Sequence, residues 1–141
     1  MNWIFLVLLT ALFYGIYNFF IKISSGHINQ IVGAVILQVV AAALGLLILL
    51  YLKLTGAPLE VSSKGIQFAI LAGVFVGLAE IASFYAFSKG VTASTGIPIM
   101  IGGSVVVGAL LGIVFLKESL TVVQYFAIAM VVVGIVLFIK K

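Results

Sequence analysis

The chain has 141 residues, of which 65% are hydrophobic and only 7% charged, with a mean hydropathy of +1.47 and a formal net charge of +4. Soluble domains are roughly half apolar and one-quarter charged, so this balance describes an integral membrane protein with no soluble domain. With no Cys, one His, no Asp and no Arg, disulfides, thiolate metal sites and nucleophile–base pairs are not available, so neither an enzyme nor a cofactor is expected.

Five apolar runs are long enough to cross about 30 Å of hydrocarbon, which takes about 20 residues of helix: Trp3 to Ile21, Ile31 to Leu52, Ile66 to Phe87, Thr92 to Phe115 and Val122 to Ile139. The runs are continuous rather than alternating and exceed the ~10 residues of a barrel strand, so they read as α-helices. The first run lacks the basic leading segment of a signal peptide and is long enough to span, so it is expected to remain as the first helix. His27 stands in the loop that follows and reads as a solvated loop residue. Between the second and third runs, Gly56 and Pro58 punctuate the longest link. Lys89 and Gly90 mark an abrupt turn before the fourth run. Lys117-Glu118-Ser119 closes the fourth, and Thr121 with Gln124 forms a capping-box pattern for the fifth. Short connections predict neighbouring helices in a compact bundle, one domain over 1–141.

The lysines carry topological information because cytoplasmic loops normally hold the excess of basic residues. Lys53, Lys64 and Lys117 lie on the amino-terminal side, and Lys22, Lys89, Lys140 and Lys141 on the other, a count of 3 against 4. So even a distribution permits insertion both ways up, and two oppositely inserted copies would form an inverted-repeat pair. An antiparallel homodimer is expected, with a single orientation set by a weak bias or a partner as the alternative. The lysines scatter among helix ends and form no basic face for nucleic acid.

Small residues four apart allow close helix approach in lipid, and Ala11 with Gly15, Ala41 with Gly45, Gly73 with Gly77, and Ser104 with Gly108 and Gly112 have that spacing. Polar groups show a more specific pattern. With 1.5 Å of rise per residue, Asn18, Gln38, Glu80 and Pro98 all fall roughly 5 to 12 Å below the same membrane boundary. Tyr14 shares a helical face with Ala11 and Asn18, and Gly73, Gly77, Glu80 and Phe84 align on the third helix. Pro98 withdraws a donor from the carbonyl of Ser94 and, with Gly96, Gly102 and Gly103, makes the fourth helix the expected kinked or moving element. Glu80, Asn18, Tyr14, Gln38, Phe84, Pro98 and Ser94 are therefore the candidate substrate-binding or coupling residues. Interhelical hydrogen bonding is the plainer reading of Asn18 and Gln38, and a lipid-facing position or core packing is the alternative for the aromatics.

Glu80 is the one acidic residue outside the loops. An ionisable group at that depth costs on the order of 3 kcal/mol and normally faces a partner, a cavity or a transport path. No Lys or Arg lies at matching depth. If a proton and a cationic ligand share this carboxylate, binding one expels the other, and a proton gradient can drive export. A permanently protonated Glu80 bonded to Gln38, Asn18 or a free carbonyl is the structural alternative.

Tyr85-Ala86-Phe87, Gly90, Ala93-Ser94 and Pro98-Ile99, followed by Phe115-Leu116-Lys117-Glu118-Ser119-Leu120-Thr121 and a last helix containing Gly134, resemble the EamA family of the drug/metabolite transporter superfamily. The resemblance spans the chain and is most specific in its carboxy-terminal half. It implies a secondary transporter that exports or exchanges small hydrophilic metabolites such as amino acids and amines by alternating access, in the cytoplasmic membrane of a prokaryote; the intramembrane position of Glu80 adds cationic substrates to that expectation. It also implies one half of an inverted-repeat transporter, completed by dimerisation with a second copy or a related five-helix chain. Glu118 corresponds to the loop carboxylate of the family motif, in a structural role. Glu80 matches no family hallmark. An uncoupled facilitator and an accessory membrane subunit are the alternative functions.

Overall fold

The computed structural model describes residues 2–140, and the protein is all-helical: α1 (Trp3–Ser24), α2 (Gln30–Leu54), α3 (Ser63–Ser88), α4 (Ala93–Phe115) and α5 (Val122–Ile139). All five are long and apolar enough to span a membrane. They follow the expected runs and extend them at polar ends, from Ile21 to Ser24 and from Ile66 back to Ser63. Lys141, one of the seven boundary lysines, lies outside the described residues.

Local chemistry sets the helix ends. Asn29 Oδ1 accepts the Ile31 and Val32 N–H groups at 3.0 and 3.4 Å and starts α2. Ser62 Oγ takes the Gly65 N–H at 3.0 Å and starts α3. Both halves of the capping box expected at Thr121 are present: Gln124 Oε1 accepts the Thr121 N–H at 2.7 Å, and Thr121 Oγ1 accepts the Gln124 N–H at 3.4 Å. Side-chain oxygens thereby satisfy N–H groups that the first helical turn leaves without partners. Gly56 and Gly90 turn the chain after α2 and α3 with φ of 72° and 94°, where a side chain would be strained.

The chain divides into two compact units. One contains α2, α3 and the end of α1 from Phe20. Here α2 and α3 pack antiparallel, with Gly33 against Phe84 and Gln38 against Gly77. Its core gathers where α1 ends, α2 begins and α3 ends, around Ile21, Ala34, Phe84 and Phe87, with Phe87 the largest fully buried side chain. The other unit contains α1 up to Phe19, α4 and α5. In it α4 and α5 pack antiparallel, with Gly102 against Val131 and Ile135. Pro98 lies inside α4, which nevertheless runs unbroken from Ala93 to Phe115.

The small-residue pairs mark contacts less well than expected. A side chain added at Gly15, Gly45, Gly73 or Gly108 would meet nothing within 4 Å among the described residues. Gly33 and Gly102, which belong to none of those pairs, are where a neighbouring helix comes closest. A four-residue spacing tells which residues share a face, but only packing decides whether a neighbour covers it.

Candidate functional site

Glu80 is buried, 4% exposed, near the carboxy-terminal end of α3. It stands three residues from Gly77 and four from Phe84, so all three lie along one side of the helix. The missing side chain at Gly77 admits the Gln38 amide from α2: a Cβ there would lie 3.4 Å from Gln38 Oε1. One turn further on, the Phe84 ring fills the space over Gly33, where an added Cβ would come within 2.5 Å of ring carbon Cε1. The α2–α3 hairpin thus sets Gln38 of α2 against Gly77 and Gly33 of α2 against Phe84, with Glu80 between those two contacts along the stripe that Gly77, Glu80 and Phe84 form on α3. A polar amide and a carboxyl lie on this α2–α3 seam with a ring closing it.

Lys22 is the cation that sequence reasoning missed. It reads as a boundary anchor, but its half-buried ammonium donates to the Phe87 carbonyl oxygen at 3.2 Å. It also stands 5.7 Å from the centre of the Phe87 ring. α3 has no basic residue in its own last turn, so Lys22 supplies from α1 the positive charge that favours a helix carboxy terminus. By helical rise, Phe87 is about 10 Å along α3 from Glu80. Lys89, the nearest lysine along the sequence, is exposed instead. The available clue to Lys22 was its position in the last turn of α1, on the membrane side where α3 ends.

The remaining candidates belong to the other unit. Asn18 is buried, but its Nδ2 donates to the Tyr14 carbonyl at 2.8 Å within α1. Its donor therefore serves its own helix, which differs from the interhelical bond expected. Tyr14 is more than half exposed, and its ring meets that of Tyr17 edge-on at 5.8 Å. It shares a groove of about 350 Å³ with Val7, Thr10, Ala11 and Ile101. Ser94 is exposed, with its hydroxyl 3.3 Å from that of Thr92 at the start of α4. Pro98 is half-buried in the second turn of that helix. His27 is exposed in the α1–α2 loop, as expected.

A profile of the EamA-like transporter family matches residues 1–140. An uncharacterised protein of the archaeon Methanocaldococcus jannaschii is 35% identical over 134 residues, which cover 95% of this chain and 93% of that protein. No solved structure matches the chain. The five membrane-length helices and the full-length family match identify the chain as a multi-pass membrane protein that belongs to the EamA-like transporter family, transporters of the drug/metabolite type.

Proposed function

We propose that this chain is a secondary transporter that exports or exchanges small hydrophilic or cationic metabolites by alternating access, with Glu80 as the coupling carboxylate. The observation that carries this reading is the burial of Glu80 within a membrane-length helix, on a seam that also holds the Gln38 amide. A buried carboxyl is costly in a membrane and is typically retained along ion and substrate paths. A proton and a cationic substrate compete for it, so loading one releases the other. Gln38 and Phe84 flank the coupling group, and Tyr14, Asn18, Ser94 and Pro98 are proposed contacts along the path. The membrane is the cytoplasmic membrane of a prokaryote.

The five helices form a single domain and one half of the working unit. An inverted second copy, or a related five-helix chain, completes it. The near-equal lysine count on the two sides supports insertion in both orientations. Single cysteines placed in the loops of this Cys-free chain should label from both sides of the membrane, and one-sided labelling at every loop would remove the antiparallel homodimer.

The functional test is proton release from purified protein in weak buffer as amines, amino acids and lipophilic cations are added. Wild type is expected to release protons on binding one of these classes, and Glu80→Gln to release none. Substrate flux and pH dependence unchanged in Glu80→Gln would overturn the coupling role, and binding without proton release in either protein would leave an uncoupled facilitator.

A further inference from the structure

The junction between α4 and α5 holds a carboxylate in an unusual place. At the end of α4, the Leu116 N–H donates to the Gly112 carbonyl at 3.1 Å, Lys117 adopts a left-handed φ of 58°, and the Glu118 N–H returns to the same carbonyl at 3.2 Å. This turn directs Glu118 back onto α4. A Cβ at residue 112 would stand 2.5 Å from Glu118 Oε2 and 3.3 Å from its Cδ, so only glycine leaves room for the carboxylate against the helix.

A carboxylate beside the last turn of a helix meets the negative end of the helix dipole, which opposes it. Glu118 has no ion-pair partner among the described residues to offset that repulsion. What the carboxylate does face is a groove of about 550 Å³, lined by Gly108, Leu111, Gly112, Phe115 and Leu116 as well as Glu118. The span of α4 ends at Phe115; the Glu118 carboxylate lies against Gly112, about 5 Å inside that end, and Gly108 lies about 6 Å deeper still by helical rise. The groove therefore starts at a negative group just inside the end of the span and descends along glycine and apolar side chains into hydrocarbon. Lys117, exposed on the same turn, adds a positive charge at headgroup level.

That order of chemistry, a carboxylate at the boundary with an apolar trough beneath it, fits a lipid whose headgroup ends in a primary amine. We propose that the groove along the carboxy-terminal end of α4 and the turn that follows it is a binding site for an aminophospholipid. The ammonium pairs with Glu118, the phosphate lies near Lys117, and the upper part of an acyl chain runs along Gly108, Leu111 and Phe115. This site shares no residue with the Glu80 seam and does not depend on the transport reading.

The test is native mass spectrometry of the protein released from mixed vesicles of phosphatidylethanolamine and phosphatidylglycerol, counting the lipids retained per chain. Wild type should keep phosphatidylethanolamine in preference, and Glu118→Gln should lose that preference about fivefold, the scale of one charge-assisted hydrogen bond in a partly exposed site. Leu111→Trp, which leaves Glu118 in place and fills the trough, should lose it as well; circular dichroism confirms the helical fold of each variant. Equal retention of the two lipids by wild type, or unchanged preference in both variants, would overturn the proposal. So would displacement of the lipid by millimolar ethylamine, which would make the site one for a soluble amine. A change in oligomeric state with no change in lipid retention would assign the groove to a second copy of the chain and would equally overturn it.

Discussion

The Lys22 ammonium reaches from the last turn of α1 to the Phe87 carbonyl oxygen at 3.2 Å, and the same group stands 5.7 Å from the Phe87 ring. One residue thus closes the end of a second helix and covers the most deeply buried ring in the chain. The helix it closes carries Glu80.

Lys22→Met keeps a stem of similar length and removes both the donor and the charge. It should cost about 1–3 kcal/mol, because a hydrogen bond from a charged group is lost and the Phe87 carbonyl forfeits its second donor. Lys22→Arg should recover most of this. Thermal unfolding in a mild detergent reads the difference, and equal midpoints for wild type and the Met variant would show that the contact contributes nothing.

Gly33→Ala should destabilise the protein by about 1–3 kcal/mol, since the new methyl group must displace the Phe84 ring from a packed site. Phe84→Leu combined with it should restore part of the loss, because the two positions share one space and their effects cannot add. Gly45→Ala is the control. Open space surrounds Gly45, so exchange of glycine for a better helix former should leave stability unchanged or raise it by up to about 1 kcal/mol. Equal effects of the two alanine substitutions would contradict the α2–α3 register.

Lys117 is the one non-glycine residue among those described with a positive φ, 58°. Lys117→Gly should raise stability by about 1 kcal/mol by relieving the left-handed strain of a side-chain-bearing residue. The same unfolding measurement checks this, and a lower midpoint would mean that the lysine side chain contributes more than its backbone costs.

The helices were legible because each is a long apolar run between polar ends, and lipid leaves the backbone no option but to bond internally. The Thr121–Gln124 cap was legible because both partners sit three residues apart on one turn. The Gln38–Glu80–Phe84 seam was legible in part, as a stripe on α3. Which face of α2 meets that stripe depends on a register between helices that no local spacing encodes. Asn18 illustrates the limit: its amide bonds to the Tyr14 carbonyl of its own helix, an option open to any helical Asn.

Composition and the order of the apolar runs were enough to read a membrane protein, five helices long and apolar enough to span, and Glu80 as the costly residue needing an explanation. Transfer energies and helical rise act on each segment separately, so they can be read one residue at a time. Tertiary structure decided which glycines are covered, that Lys22 closes α3, and that Glu118 folds back over Gly112. Those are contacts between residues 65 and 6 positions apart, and they exist only where the chain returns on itself in a geometry set by packing and by the turn at Lys117.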